Sequence, residues 1–456
     1  MYSCKAFGRA SVECMRRKCA LFYALKKVFG GYIDAQKFRA CPYMKVLSLF
    51  SGCGGMDLGF EGDFLVKSCC VNAKMHPKWK LIEHGDWVRL PKTQFETVFA
   101  NDIRKDAKVA WQNFFRQRGR KAHTYKIRSI VDLVKEAKEG DKGIFPLDVD
   151  IVTGGFPCQD FSVAGKRLGF NSEKSHDGGR AKCGAPSIES RGQLYMWMRD
   201  VISITLPKVF IAENVKGLVS LADAKKIIEE DFRSIGEGGY IVVDARVLCA
   251  ADYGVPQSRE RVIFIGFRRQ DLNPEALKAL SQEEITKEFD PYPIVTHSDS
   301  PKGLQKHYVN LGEIFDDLVE PELSNDPAHK KYSKAKYMGA HCQGQKEISL
   351  AKIGPTIRSE HHGNIEFRRL AKEHGGVIEE ELKKGLPERR LSVRECARIQ
   401  TFPDDYEFVF KNEYGSVNSS QAYQIIGNAV PPLLAFNIAM RLQENWDLYF
   451  GKGKRG

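Results

Sequence analysis

The sequence predicts an α/β fold with a mixed, mostly parallel sheet, and three observations support this prediction. Short apolar runs of strand length alternate with amphipathic stretches over residues 44–269. Glycines follow the first of these runs, and carboxylates, Asp102 and Glu213, lie at the ends of two others. The last two runs, YIVVDARVL and RVIFIGF, have no helix between them, so we expect an antiparallel pair at one edge. Such alternation is typical of a parallel sheet covered by helices.

The individual elements follow from hydrophobic spacing. Strands are predicted at 45–50, 96–101, 148–153, 208–215, 240–248 and 261–267. Helices are predicted at 102–115, 193–206 and 224–235. Two further segments, 61–95 and 170–192, are expected to be surface loops inserted between core elements.

The alternation stops after the last strand, which predicts a second domain. Residues 270–410 are polar and rich in Pro, Gly, His and Lys, as expected of a smaller, irregular domain. Residues 411–456 carry apolar side chains at helical spacing, among them Ile426, Val430 and Ile438. We expect one last helix there that returns to the first domain, 44–269.

Composition and charge favour a soluble, cytoplasmic protein with an anionic partner. The 456 residues carry a net charge of +12, but residues 1–43 hold nine Lys or Arg and only two acidic residues. We interpret 1–43 as a basic extension upstream of the domain that opens at Met44. Twelve cysteines without a CxxC pair indicate reduced thiols rather than a disulfide framework or a zinc module, and no metal is expected. No apolar run approaches the ~20 residues that a membrane-spanning helix needs.

A loop after the first strand and an acid after the second predict a nucleoside site. The glycines of LFSGCGG (49–55) allow a tight turn and close approach of a ligand, but the loop lacks GxGxxG. Asp102 could accept hydrogen bonds from both ribose hydroxyls. Alone, the loop could be a simple turn and Asp102 a helix N-cap; together they favour a nucleoside without a pyrophosphate.

The stretch GGFPCQDFS (154–162) raises the question of a nucleophile. Cys158 follows a proline in a glycine-containing loop at a strand end, although a lone cysteine is often an inert core residue. Glu213, in AENV, ends another strand and could donate a proton or hydrogen bond to a heterocycle, or simply form an ion pair. Arg259 and Arg261 lie two apart and suit carbonyl or phosphate acceptors, although a solvated strand end is an alternative.

The ordered series of motifs resembles the DNA (cytosine-5) methyltransferase family of bacterial modification enzymes. It comprises LFSGCGGMDLGF, GGFPCQDFS, ENVKGL, QSRERVIFIGF, RLSVRECARIQTFPDDYEF and QAYQIIGNAVPPLLA, and covers nearly everything from Met44 onward. The resemblance implies a Rossmann-like catalytic domain at 44–269, a target-recognition domain at 270–410 and a C-terminal helix at 411–456. It also implies transfer of a methyl group from S-adenosyl-L-methionine to C5 of a flipped-out cytosine, leaving S-adenosyl-L-homocysteine.

The resemblance further assigns roles to individual residues. Cys158 would add to C6 of the cytosine, Glu213 would hold N3 and the exocyclic amine, and Arg259 and Arg261 would position the base. The cofactor would contact Phe50, Ser51, Gly52, Gly54, Asp102, Ile103, Ile127, Pro157, Leu194, Asn428 and Val430. Lys126 stands where the family usually has an acid that grips the adenine, and Ile103 stands where it commonly has an aromatic ring.

The implied partner is double-stranded DNA, with a cognate restriction endonuclease in the same system that need not bind the enzyme. DNA contacts are expected from Gln159, Ser162, Arg358, His361, His362 and Arg368. Nucleoid association would follow from DNA binding, and no membrane is implied. The target sequence and the oligomeric state stay open, with a monomer favoured.

Three other classes of protein share some of these features. A tRNA cytosine-5 methyltransferase would carry a Cys-Phe-Thr tripeptide, which this chain lacks. A nicotinamide-dependent oxidoreductase would carry GxGxxG where this chain has SGCGGM. A catalytically idle DNA-binding regulator would not be expected to keep Cys158, Glu213 and both arginines.

Overall fold

The computed structural model describes residues 43–80, 82–157, 194–221, 223–359, 364–412 and 415–451. From Met44 onward the chain forms one compact unit. The domain boundaries predicted after residues 269 and 410 stay predictions. The larger apolar core contains residues from Met44 to Tyr449 and therefore extends across both positions.

A seven-stranded sheet in the order β6-β5-β1-β7-β8-β10-β9 forms the centre of the fold. Its neighbours are parallel from β6 to β8, and only β10 runs antiparallel, to both β8 and β9. The strands are β1 (Met44–Leu49), β5 (Phe95–Asp102), β6 (Tyr125–Ile127), β7 (Ile151–Gly155), β8 (Val209–Val215), β9 (Tyr240–Cys249) and β10 (Glu260–Arg268). The mixed, mostly parallel α/β sheet and its antiparallel edge pair are confirmed; the short strand β6 was not predicted.

Helices cover both faces of this sheet because its central strands are apolar on both sides. In β1, Val46 packs into one core cluster and Leu47 into the other. The first layer contains α1 (Gly55–Glu61) and α2 (Lys105–Phe115), and the second contains α3 (Ile130–Lys138), α4 (Leu194–Thr205) and α5 (Ala224–Arg233).

The prediction of a surface loop at 61–95 is wrong. This segment forms a three-stranded antiparallel sheet whose strand order is β2-β4-β3. The strands are β2 (Leu65–Lys67), β3 (Ile82–His84) and β4 (Trp87–Arg89). Val88 and Leu90 are fully buried in the larger core, so the segment is part of the packed fold. Its strands are three residues long, too short for a periodic signal.

The predicted recognition region consists of short elements. They are α6 (Pro274–Leu280), β11 (His297–Ser298), β12 (Lys306–His307), α7 (Leu311–Phe315), α8 (Pro327–Lys330), β13 (Phe367–Arg369), α9 (Glu379–Lys383), β14 (Arg389–Arg390) and α10 (Val393–Ile399). Arg389 illustrates how they are joined, since it pairs with Glu395 at 2.9 Å and with Glu320 at 3.1 Å. Buried ion pairs thus replace much of the apolar packing that longer elements would provide.

The described part of the region 411–456 forms three helices where one was predicted. After β15 (Lys411–Asn412) and β16 (Gly415–Ser416), α11 (Ser419–Asn428) and α12 (Pro432–Glu444) are separated at residues 429–431, and α13 (Trp446–Phe450) follows. Pro431 and Pro432 cannot donate the backbone hydrogen bonds of a continuous helix. The stretch Ser419–Glu444 has the length and composition of a membrane span, but 89% of its most apolar window is buried inside the protein. It therefore has the burial of a core helix.

Candidate active site

The loop between β1 and α1 is a tight turn with one open side. Phe50 and Gly52 both have positive φ, 52° and 53°, and Gly54 follows at 84°. A β-carbon on Gly54 would lie 2.5 Å from Cδ1 of Trp111, whereas one on Gly52 would meet nothing within 4 Å. Gly54 is therefore required by packing, whereas Gly52 borders open space.

Asp102, at the end of β5, lies against this loop. Its Oδ2 accepts a hydrogen bond from the Gly52 amide at 3.0 Å, and its Oδ1 accepts one from the Arg104 amide at 2.9 Å. Burial raises the pKa of Asp102, against the effect of these amides. A carboxylate can accept about four hydrogen bonds, more than these amides supply, and the adjacent Ile103 side chain is 45% exposed. The carboxylate can thus still receive hydroxyl donors, with an apolar surface beside it.

Strand β6 supports the loop from the other side. The Tyr125 hydroxyl donates to the Gly52 carbonyl oxygen at 2.8 Å, and Ile127 is partly buried against the larger core. Lys126 is exposed. Asn101 fixes the backbone here, since its Nδ2 donates to the Lys126 and Arg128 carbonyl oxygens at 3.2 and 2.8 Å.

The segment between α11 and α12 reaches the same loop. A β-carbon on Gly55 would overlap the Val430 carbonyl oxygen, so Val430 and the glycine loop are in close contact. Asn428 is exposed next to them, at the end of α11. Leu194, in contrast, is 3% exposed within the smaller core cluster, which also contains Leu49 and Phe156. Of the residues predicted to contact the cofactor, Val430 is thus brought to the loop, whereas Leu194 is a core side chain.

The ends of β7 and β8 lie side by side in register, and this pairing arranges the second half of the site. Gly155 is opposite Glu213, and a β-carbon on Gly155 would lie 2.9 Å from the Glu213 Oε2. Asn214 Nδ2 donates to the Phe156 carbonyl oxygen at 3.2 Å, which fixes the backbone just before Pro157. The predicted nucleophile Cys158, together with Gln159 and Ser162, lies outside the described residues.

Glu213 and Arg261 form one unit. The Arg261 Nε lies 2.7 Å from the Glu213 Oε1, and the two side chains are 12% and 10% exposed. Strand β10 brings them together, because Ile263 is opposite Glu213 and Arg261 is opposite Val215. A carboxylate held by a guanidinium at a strand end, facing Gly155, is suited to polar contact with a planar ring.

Arg259 has a different environment, and the structure does not bring it to Arg261. Its guanidinium is 2% exposed and donates to the carbonyl oxygens of Ile357, Gly427 and Ala429 at 3.0, 3.1 and 2.9 Å. These bonds join the β10 entrance to residue 357 and to the segment after α11. Both arginines were expected to position the base, with one of them reaching it; the geometry favours Arg261 for that contact and places Arg259 to hold the surrounding backbone.

Two arginines that were predicted to contact DNA are paired with carboxylates of the protein itself. Arg368 is 7% exposed and binds Glu381 through both terminal nitrogens, at 3.2 and 2.6 Å. Arg358 pairs with Glu366 at 2.6 Å. Their positive charges are compensated within the protein, which counts against a phosphate contact for the buried Arg368. His361 and His362 lie outside the described residues.

Sequence reasoning missed three residues that organise the site. Asn214 lies in the ENV motif but was given no role. Gln257 donates to Gln400 Oε1 at 3.0 Å and accepts from the Ile357 amide at 2.9 Å. Both glutamines are fully buried. Their presence in the RECARIQTF and QSRERV motifs was the available signal, but a polar residue in a motif does not reveal which backbone it binds.

The fold and this site define a class of enzyme. A mostly parallel sheet with a glycine loop after its first strand and an acid after the next strand is the arrangement of an α/β enzyme whose site lies at the carboxyl ends of the strands. Within the described part of the chain, no three His, Cys, Asp or Glu side chains form a group that could hold a metal ion.

Comparison with known proteins gives the family. Residues 44–444 match the family model of the C-5 cytosine-specific DNA methylases, so the chain belongs to that family. It is 32% identical over 430 residues to the type II methyltransferase M.BsuRI of Bacillus subtilis, covering 92% of this chain and 83% of that protein. It is 30% identical to M.NgoPII of Neisseria gonorrhoeae, covering 88% and 96%. The protein is therefore a DNA (cytosine-5) methyltransferase of the restriction-modification type, and DNA is its substrate.

A solved structure agrees at the level of the fold. The Entamoeba histolytica methyltransferase EhMeth matches with a TM-score of 0.50 at 13% identity, covering 89% of this chain and 99% of that one. At this identity the likeness concerns the fold alone.

Proposed function

We propose that this enzyme methylates C5 of a cytosine flipped out of double-stranded DNA, using S-adenosylmethionine and a transient bond between Cys158 and C6. The observation that carries the proposal is the Glu213–Arg261 pair above Gly155, at the strand end that continues into Pro157 and Cys158. The target base must leave the stack before a side chain can reach C6, at a cost of about a few kcal/mol.

The residues present fit the cofactor. Open space at Gly52, the lone pairs of Asp102 and the exposed Ile103 would receive the nucleoside, with Val430 beside the same loop. Phe50, Ser51, Gly54, Ile127, Pro157, Leu194 and Asn428 complete the proposed set. When bound, S-adenosylmethionine supplies an electrophilic methyl group and leaves as S-adenosylhomocysteine.

The chain's own groups make the cytosine a nucleophile. A free cysteine has a pKa of about 8.5, so the thiolate form of Cys158 must be favoured at the moment of attack. Its addition to C6 opens the C5–C6 double bond and places the electron pair on C5 and the ring. Glu213, oriented by Arg261, would donate a proton to N3, which takes up that charge, and would accept a hydrogen bond from the exocyclic amine. After methylation, a base from the solvent takes the C5 proton, and the electrons of that C–H bond restore the C5–C6 double bond and expel the Cys158 thiolate.

Asn214 and Arg259 are positioning residues in this proposal. Asn214 fixes the Phe156 carbonyl, two residues before the nucleophile. Arg259 holds residues 357, 427 and 429 together and thereby joins the predicted recognition region to the cofactor side. Gln159, Ser162, Arg358, His361 and His362 stay proposed DNA contacts, and a cognate endonuclease stays a proposed partner of the system. We propose a cytoplasmic location, where the DNA is.

A duplex carrying 5-fluorocytosine tests the covalent step. Fluorine at C5 cannot leave as a proton, so the Cys158 adduct should persist and migrate slowly on a denaturing gel. Bisulfite sequencing of DNA from a methylation-free host that expresses the enzyme would first locate the target sequence. The wild type should form the adduct, and Cys158→Ala should bind the duplex without forming it.

Cys342→Ala is the matched control, because Cys342 is an exposed thiol in the described part of the recognition region. It should trap the duplex as the wild type does. Two outcomes would refute the assignment of Cys158 as the nucleophile. One is an adduct formed by Cys158→Ala. The other is the absence of an adduct with wild-type enzyme that methylates the unmodified duplex.

A further inference from the structure

One buried acid next to the cofactor loop has no role in the chemistry above. Asp57, in α1, is 1% exposed. Its Oδ2 accepts a hydrogen bond from the Trp111 indole at 2.7 Å, and Trp111 is the side chain against which Gly54 packs. Its other oxygen, Oδ1, accepts no hydrogen bond of standard geometry from the described residues. A buried carboxyl with one unsatisfied oxygen is costly, which calls for an explanation.

The nearest polar groups on the loop side are two hydroxyls. The Ser51 hydroxyl donates to Ser48 Oγ at 2.8 Å, and the Ser48 hydroxyl stabilises the ionised form of Asp57. Ser51 is also tied to β5, because its hydroxyl accepts from the Asn101 amide at 3.1 Å. A polar path therefore connects the Asp57 carboxyl to a loop residue of the proposed cofactor site.

In the part of the chain that the structure describes, the surroundings of Asp57 contain acids and neutral groups but no paired cation. Among the described residues, Glu61 on α1, Cys53 in the loop, Tyr125 on β6 and Tyr406 beyond α10 interact with it electrostatically. Arg120 neutralises Glu61 at 3.0 Å, and α12 presents Ala435 and Phe436 to α1. Burial, the strongest influence, raises the pKa of Asp57 to about 7, against the favourable contacts with Ser48 and Trp111. The charge of this group thus changes near neutral pH.

We propose that Asp57 is a charge-dependent positioning residue for the cofactor, whose ionised form favours the sulfonium of S-adenosylmethionine over the neutral thioether of the product. The inference rests on the proposed cofactor and adds a discrimination between substrate and product. A buried anion attracts a nearby cation strongly because little water screens it. A bound cation in turn holds the carboxyl in its charged form, so the preference should grow as pH rises through neutrality.

Paired binding measurements test this, because the two ligands differ by one methyl group and one charge. Dissociation constants for S-adenosylmethionine and S-adenosylhomocysteine would be measured by calorimetry between about pH 6 and pH 8 at constant ionic strength. In the wild type the preference for S-adenosylmethionine should rise roughly three- to tenfold across this range. Asp57→Asn keeps an oxygen acceptor for Trp111. In this variant the preference for S-adenosylmethionine should rise less with pH than in the wild type.

Two further variants keep the proposal testable if Asp57→Asn is unstable. Trp111→Phe removes the donor to Oδ2 and should move the pH midpoint upward, because the ionised form loses a hydrogen bond. Glu61→Gln removes a like charge and should move the midpoint downward while keeping the rise. Identical pH profiles of the affinity ratio in wild type and Asp57→Asn would overturn this inference alone. Failure of both ligands to bind would overturn the proposed cofactor and this inference with it.

Discussion

Replacing Gly59 by alanine should destabilise the protein, although alanine is the better helix former. Gly59 lies inside α1 with an ordinary helical φ, so the substitution gains about 1 kcal/mol of helix propensity. Its new β-carbon would overlap Ala435 Cβ and the Pro432 carbonyl oxygen, and would lie 2.7 Å from the Phe436 amide nitrogen. Ordinary contacts of this kind are about 3.5 Å, so α1 and α12 must separate by roughly 1 Å.

The two effects can be compared. Overpacking of this kind costs about 1–3 kcal/mol, and backbone atoms cannot move aside as a flexible side chain would, which favours the upper end. After the gain in propensity, we expect a net loss of about 1–2 kcal/mol in the free energy of unfolding. Affinity for S-adenosylmethionine should also fall, since α1 and α12 carry the glycine loop and the segment containing Val430.

Urea unfolding followed by circular dichroism measures the first effect, and calorimetry measures the second. Gly143→Ala is the matched control: its β-carbon would meet only the Asp141 carboxylate oxygen, at 3.2 Å, and it lies outside both helices. The control should stay within about 0.5 kcal/mol of wild type. A Gly59→Ala protein as stable as wild type, or more so, would show that close approach of the two helices is not required.

Three further predictions concern other contacts of the site. Asn214→Ala removes the hydrogen bond to the Phe156 carbonyl oxygen, so kcat should fall by roughly tenfold or more while DNA affinity is kept. Single-turnover methylation measures the rate and gel-shift titration measures the affinity. An unchanged kcat would contradict this prediction. Arg259→Met removes the guanidinium donor to three carbonyl oxygens, of which Ala429 keeps a 3.4 Å bond from Gln400, and should lower the free energy of unfolding by about 3 kcal/mol or more. An equally stable variant in urea would contradict it. Burial raises the pKa of Asp57 to about 7 in the folded protein, whereas in the unfolded chain this carboxyl releases its proton near pH 4. Between these two values only the folded state holds the proton, so the contribution of Asp57 to stability declines as pH rises toward 7. Between about pH 5 and pH 7 the wild type should therefore lose on the order of 2–3 kcal/mol relative to Asp57→Asn, and parallel urea-midpoint curves for the two proteins would contradict it.

The sequence predicted best those features that depend on local pattern. The strands that became β1, β5, β7, β8, β9 and β10 all have apolar runs, and their burial on both faces requires such runs. The glycine loop and Asp102 were assigned to one nucleoside site because they follow consecutive strands, and the Gly52 hydrogen bond shows that the two lie together. Strand ends in a parallel sheet meet at one edge, so the order of motifs along the chain was enough.

Features that depend on contacts between distant segments could not be predicted in this way. Arg259 and Arg261 look alike in the sequence, but one binds Glu213 and the other binds carbonyl oxygens 98 to 170 residues away. The insertion at 61–95 has strands of three residues, and its burial depends on the larger core that it contacts. The break between α11 and α12 was in principle visible as Pro431–Pro432, but the apolar spacing continues across it.

The contact between the two ends of the family-matched region has a consequence for function. Gly55 and Gly59 face Val430, Pro432 and Ala435, so the first helix after the glycine loop is packed by the last segments of the chain. Arg259 ties Gly427 and Ala429 to the strand that carries Arg261. The proposed cofactor loop and the Glu213–Arg261 pair are thus braced by one segment, residues 427–435. A disturbance of that segment should weaken cofactor binding and slow methylation together, even though none of its side chains needs to touch the cytosine.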